Sequence, residues 1–149
     1  MPKVLIIYYS RTGNTLEMAN ALWEGAGSIS EVEVIVKKAE EATPKDVLDC
    51  NAIALGSSEI SGSIGEPLKR VLDICCNELK GRIDGKPYIA FGNSIMGSKD
   101  VINNIEKICS EMGMNKLTNG VVAKGLPSPE FLTSCWDLGN KLARAAIGK

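Results

Sequence analysis

Short apolar runs recur along the chain, and after each one the spacing of apolar positions changes from consecutive to every third or fourth residue. Residues 4–9, Val-Leu-Ile-Ile-Tyr-Tyr, are apolar without a break, as expected of a parallel strand covered on both faces. Leu16, Ala19, Leu22, Trp23 and Ala26 follow at helical spacing, and Gly27 suits a helix end. The same reading predicts further strands over 32–36, 52–57 and 88–92, and a fifth within 117–124. Thr43 before Pro44 predicts the start of a short helix. Pro67 opens another, striped by Leu68, Val71, Leu72, Cys75 and Leu79. Ile102, Ile105, Cys109 and Met112 form the next stripe, closed by Gly113. The last helix starts at Ser128-Pro129-Glu130 and carries Leu132, Cys135, Leu138 and Leu142.

Strand and helix thus alternate five times, which predicts an α/β fold with a parallel sheet and helices on both faces. A chain of 149 residues is expected to form one domain over 1–149. Three polar, glycine-bearing loops follow the first, third and fourth strands, at 10–15, 58–66 and 93–98.

The first loop, Ser10-Arg11-Thr12-Gly13-Asn14-Thr15, is the most telling. It passes directly from a strand to a helix N-terminus, where unpaired N–H groups and the positive dipole end attract a phosphate. Ser10, Thr12 and Thr15 add hydroxyl donors, Asn14 an amide, and Gly13 lets the backbone come close. Capping a helix takes one hydroxyl, and this turn has three. The loop lacks the Gly-x-Gly-x-x-Gly of a dinucleotide site and the Gly-Lys-Ser/Thr of a triphosphate loop, so a terminal phosphomonoester is the expected guest.

With its Ser/Thr-x-Thr-Gly-x-Thr pattern and the opening Met1-Pro2-Lys3-Val4-Leu5-Ile6-Ile7-Tyr8, the chain resembles the flavodoxin family. The resemblance implies a doubly wound five-stranded sheet in the order 2-1-3-4-5, an arrangement that flavodoxin itself commonly illustrates. It also implies FMN as cofactor, with its phosphate on residues Ser10, Arg11, Thr12, Gly13, Asn14 and Thr15. The other two loops would then cradle the ring system, through Ser57, Ser58, Glu59, Ile60, Ser61 and Gly62 on one side and Asn93, Ser94, Ile95, Met96 and Gly97 on the other. Flavodoxins usually place an aromatic residue in each of these loops. Here the equivalents are Glu59-Ile60 and Ile95-Met96, so Ile60 and Met96 are expected to flank the ring. Ser61-Gly62 is the counterpart of the peptide that turns toward the flavin N5.

Composition removes competing chemistries. Histidine is absent, so no Ser-His or Cys-His nucleophile and no histidine-ligated corrinoid or zinc is possible. Tyr9-Ser10 and Ser57-Ser58 stand where a phosphoacceptor domain needs aspartates, and the first loop has no cysteine for phosphatase chemistry. Five cysteines without a Cys-x-x-Cys pattern predict free thiols, with Cys75, Cys109 and Cys135 in the core. A net charge of -1 and a pI near 5.6 carry no footprint for nucleic acid. No apolar stretch approaches a bilayer-spanning length and no signal-peptide pattern opens the chain, which leads to the expectation of a cytoplasmic location without membrane insertion.

The reading that follows is an FMN electron carrier, with no catalytic side chain and no metal, passing electrons between redox partner proteins. An FMN-dependent NAD(P)H or quinone oxidoreductase and a flavodoxin-like interaction module without cofactor are the alternatives. Reductases of this fold elongate their loops and assemble as oligomers. The short connections here favour the carrier, as a monomer.

Overall fold

The computed structural model describes residues 1–148. In chain order its elements are β1 (Lys3–Tyr9), α1 (Asn14–Gly27), β2 (Glu33–Lys38), a short 3-10 turn (Ala39–Glu41), α2 (Pro44–Asp49), β3 (Ala52–Ile60), β4 (Ser63–Ile64), α3 (Glu66–Leu79), β5 (Pro87–Ser94), α4 (Asp100–Glu111), β6 (Asn115–Lys116), β7 (Val121–Lys124) and α5 (Pro129–Ala146). The parallel strands lie in the order β2-β1-β3-β5, and β6 and β7 both pair with the outer edge of β5. Counting those two pieces as one interrupted strand gives the expected 2-1-3-4-5 arrangement.

Alternate residues of each strand supply two cores. Toward α1 and α5, Val4, Ile6, Ala54, Ile89 and Phe91 pack with Met18, Leu22 and Leu142. Toward α2, α3 and α4, Leu5, Ile7, Ile53 and Leu55 pack with Val47, Leu72, Cys75, Ile105 and Cys109. Burial of apolar surface on both faces explains why the central strands read as unbroken apolar runs rather than as alternation. Cys75, Cys109 and Cys135 are buried, and all five thiols are free.

α1 and α5 cross at very close range. A Cβ on Gly25 would overlap the Trp136 carbonyl, and one on Gly139 would overlap the Leu22 carbonyl. The glycines form a reciprocal notch in which each helix receives the backbone of the other. Because α1 leads directly out of the first loop, this crossing holds the loop's helix against the far end of the chain.

The structure differs from the sequence expectations at several places. The third strand does not stop at Ser57: it runs to Ile60, turns through Ser61-Gly62 and returns as β4 in antiparallel register. A hairpin therefore replaces much of the expected loop. The fourth strand likewise extends through Asn93 and Ser94. In both cases polar residues continue a buried strand because their side chains find partners inside the fold, as detailed below. The fifth strand is split, since Leu117 donates its N–H to Tyr88 O at 2.9 Å while the chain between β6 and β7 leaves the ladder. At Gly120 a Cβ would meet Ala90 O at 2.8 Å and Ile102 Cγ2 at 2.6 Å, so the chain at the break is pressed against β5 and α4.

α2 begins as expected. Thr43 accepts from the Asp46 N–H while the Asp46 carboxylate accepts from the Thr43 N–H, a reciprocal cap with Pro44 in the first turn. Its other end is held by Lys86, whose ammonium donates to the carbonyls of Val47, Leu48 and Cys50 at 2.6, 2.9 and 2.5 Å. These are carbonyls that a helix end leaves without partners.

Candidate functional site

The carboxyl ends of β1, β3 and β5 lie side by side and gather the three polar loops, with Tyr9 in register with Ser57, and Ser58 with Asn93. Ligands of open α/β sheets bind where the chain reverses direction across the sheet. Here that point lies between β1 and β3.

The first loop is built as an open cradle. Gly13 precedes α1 in the left-handed region, with φ of 94°. Ser10 Oγ accepts from the N–H groups of Gly13 and Leu16 at 3.0 and 3.2 Å, which folds the loop over the helix end and still leaves the hydroxyl proton to donate outward. Ser58 Oγ accepts from the Arg11 N–H at 3.0 Å and pairs with Thr15 Oγ1 at 2.9 Å, tying the loop to β3. Thr15 is fully buried, whereas Arg11 and Thr12 are exposed. The N–H groups of Thr12, Asn14 and Thr15, and the side chains of Thr12 and Asn14, have no hydrogen-bond partner among the described residues. Several neutral donors thus converge at a helix N-terminus without an acceptor, which is the donor set a phosphate dianion requires. The residues fit the phosphate group of FMN.

The second loop is stiffer than a free loop. Ser57 Oγ accepts from the Gly65 N–H at 2.9 Å and donates to Ser58 O at 2.7 Å, anchoring the base of the hairpin. Ser61 and Gly62 have φ of 49° and 81°. Two successive positive φ angles are the signature of a two-residue type I′ turn, costly for a serine and free for a glycine. Ile60 is half-buried. Glu59 carries a buried Oε2 with no hydrogen-bond partner, an orphan acceptor beside the turn.

The third loop is a tight turn closed by Gly97 N–H to Ser94 O at 3.4 Å, with Ile95 and Met96 at its tip. Both are largely solvent-exposed, at 84% and 78%. Ser94 Oγ accepts from the Ser98 N–H at 3.2 Å. The Asn93 amide turns away from the cleft and donates to Ala123 O at 3.3 Å and to Gly125 O. The structure therefore brings the three predicted loops together, but Ser57, Ser58, Asn93 and Ser94 are buried and occupied by structural bonds. Tyr8, Tyr9 and Lys38 were absent from the sequence reading of the site. With Ser10, Gly13, Leu16 and Glu40 they line a cleft of about 300 Å³ beside the first loop. A separate cleft of about 420 Å³, between α1 and α5 and lined by residues including Glu17, Leu132 and Trp136, shares no residue with the three loops. Trp23 and Trp136 are partly exposed on those helices, outside the cradle.

Comparison with known proteins settles the family. The flavodoxin family model matches residues 6–139. The chain belongs to the flavodoxin family. A flavodoxin of Aquifex aeolicus (strain VF5) is 45% identical over 94 residues, covering 63% of this chain and 51% of that protein, so the match spans about half of that flavodoxin's length. The flavodoxin of Megasphaera elsdenii is 27% identical over 146 residues, covering 95% of this chain and 99% of that one. Among solved structures, a flavodoxin from the domain Archaea superposes with a TM-score of 0.85 at 26% identity, over 97% of this chain and 99% of the other. Flavodoxins bind FMN and transfer electrons to redox partners. No helix among the described residues is long and apolar enough to cross a membrane.

Proposed function

We propose that this flavodoxin-family chain is a one-domain, monomeric FMN electron carrier of the cytoplasm, serving redox proteins that present their own cofactors. The observation that carries the reading is the convergence of unpartnered N–H, hydroxyl and amide donors at the start of α1, a cradle for a phosphomonoester. In this reading Ser10, Thr12, Asn14 and Thr15 hold the FMN phosphate, with Arg11 supplying the loop's only charge and Gly13 the close approach. Ser57 and Ser58 brace the cradle from β3. Glu59, Ile60, Ser61 and Gly62 line one side of the ring and Ile95, Met96 and Gly97 the other, while the buried Asn93 and Ser94 brace that second loop from behind.

When bound, FMN supplies the one-electron chemistry, and the protein supplies position and electrostatics. No described side chain forms a nucleophile–base pair in the cleft, and no described group of His, Cys, Asp or Glu residues could hold a metal ion. The short connections between elements support a carrier over a substrate-converting oxidoreductase, whose loops are elongated. The test is the purified protein's visible spectrum after FMN addition and gel filtration, followed by electron exchange with an external one-electron donor and acceptor. A retained flavin spectrum, reversible reduction and no NAD(P)H oxidation by the protein alone are expected. A protein that retains no flavin would refute the reading, and steady-state NAD(P)H oxidation would turn it toward the reductase.

A further inference from the structure

Leu126 falls in none of the three loops of the proposed cradle, yet it is 74% exposed. Apart from Met1, the most exposed large apolar side chains described are Ile95, Met96 and Leu126, while Leu16, Trp23, Ile74 and Trp136 lie between 36% and 49%. Single exposed apolar residues are ordinary, but several on one surface mark a contact for something apolar. The two segments that carry these three residues are bolted together. Gly125 donates its N–H to Ser94 O at 3.0 Å, and the Asn93 amide binds Ala123 O and Gly125 O. Gly97 packs against the Lys124 side chain, where an added Cβ would lie 3.5 Å from Lys124 Cβ. The β5 turn and the residues after β7 therefore form one platform at the carboxyl edge of the sheet, next to the end of β3.

We propose that Leu126 and Met96 together form the apolar wall that meets the flavin ring, with Asn93 as the positioning residue that holds the two loops as one platform. The inference rests on the FMN reading above and adds a fourth segment to the site. The chemistry agrees. The third loop lacks the aromatic side chain that would cover the ring alone, and a methionine and a leucine from adjacent loops provide comparable apolar area without it. Asn93 is buried and both its amide bonds end on carbonyls of the other segment, so it acts on the wall's shape rather than on the ligand.

The test compares FMN with riboflavin, which carries the ring without the phosphate. Leu126→Ser, at an exposed position that the fold does not need, is expected to weaken both ligands alike by about 5- to 30-fold. Leu126→Trp is expected to tighten both and deepen quenching of the flavin fluorescence. Asn93→Asp keeps the shape but loses the amide donors. It is expected to weaken both ligands, alter the visible circular dichroism of bound flavin, and make a further Leu126→Ser change nearly silent. Unchanged affinities in both Leu126 variants, or a loss confined to FMN, would overturn the proposal whether or not the Asn93 variant folds. A wild-type protein that binds neither flavin would instead remove the cofactor reading, and this proposal with it.

Discussion

Thr12 and Thr15 look equivalent in the sequence, and the structure makes them different experiments. Thr12 is exposed and its hydroxyl has no partner in the chain, so Thr12→Val removes only what the hydroxyl does for a ligand. A hydrogen bond to a charged group contributes roughly 1.5–3 kcal/mol. FMN affinity should therefore fall by about 10- to 150-fold. Riboflavin affinity should not change, and stability should move by less than about 0.5 kcal/mol, as for other surface changes. Thr15 is fully buried and paired with Ser58 Oγ at 2.9 Å. Thr15→Val should destabilise the protein by about 1–3 kcal/mol, the range for a broken buried hydrogen bond, and weaken FMN only through the loosened tie between the loop and β3. Titrating apoprotein with each flavin by fluorescence, alongside urea unfolding, separates the two effects. If Thr12→Val weakens FMN and riboflavin equally, the loop is not holding the phosphate and the donor argument fails.

Three further outcomes follow from the packing. Lys86→Met strips the ammonium from the three carbonyls at the end of α2 and should cost about 1.5–3 kcal/mol in urea unfolding, with FMN affinity little changed. Gly25→Ala forces a Cβ into the Trp136 carbonyl and should destabilise by at least about 1–3 kcal/mol, whereas Gly27→Ala, with nothing within 4 Å of its Cβ, should be neutral or stabilise by up to about 1 kcal/mol. Burial raises the thiols from 9.0 to about 11 at Cys50 and to about 12 at Cys75 and Cys135, and also pushes Cys109 upward. The unfolded chain then releases protons before the folded one does, so the thiol contribution is intact below about pH 9 and is lost as pH rises toward the folded values. Urea midpoints that fall between pH 8 and pH 11 are expected, and a flat profile over that range would count against these thiols being buried.

The order of elements and the first loop were legible because each rests on a local rule: apolar runs for strands buried on both faces, helical stripes, and a hydroxyl-rich turn between them. What escaped notice depended on partners distant in sequence. Ser58 reads as the start of a loop, yet it continues β3 because the Arg11 N–H and the Thr15 hydroxyl come to meet it. Ser57 is buried for the same reason, through the Gly65 N–H. Asn93 and Ser94 look like a glycine-flanked turn until the Ala123 and Gly125 carbonyls come to the Asn93 amide and the Gly125 N–H to the Ser94 carbonyl. The pair Asn115-Lys116 has no strand pattern of its own and is defined only by pairing with Pro87 and Tyr88. Leu126 gave no sequence signal, since a lone leucine before a proline carries meaning only once its neighbours in space are known.

The glycine notch between α1 and α5 also bears on the binding loop. α1 precedes α5 by more than a hundred residues, yet each needs the other to cover its inner face. Without the segment bearing Gly139, Met18, Leu22 and Ala26 have only the sheet to lie against, and the first loop is held by its ties to Ser58 alone. Contacts between segments distant in sequence must meet their loop-closure cost before they return any stability. The phosphate cradle, carried by residues 10–15, is therefore tied to a helix whose clasp comes from α5, so that a change at Gly139 reaches the binding loop through the packing of α1.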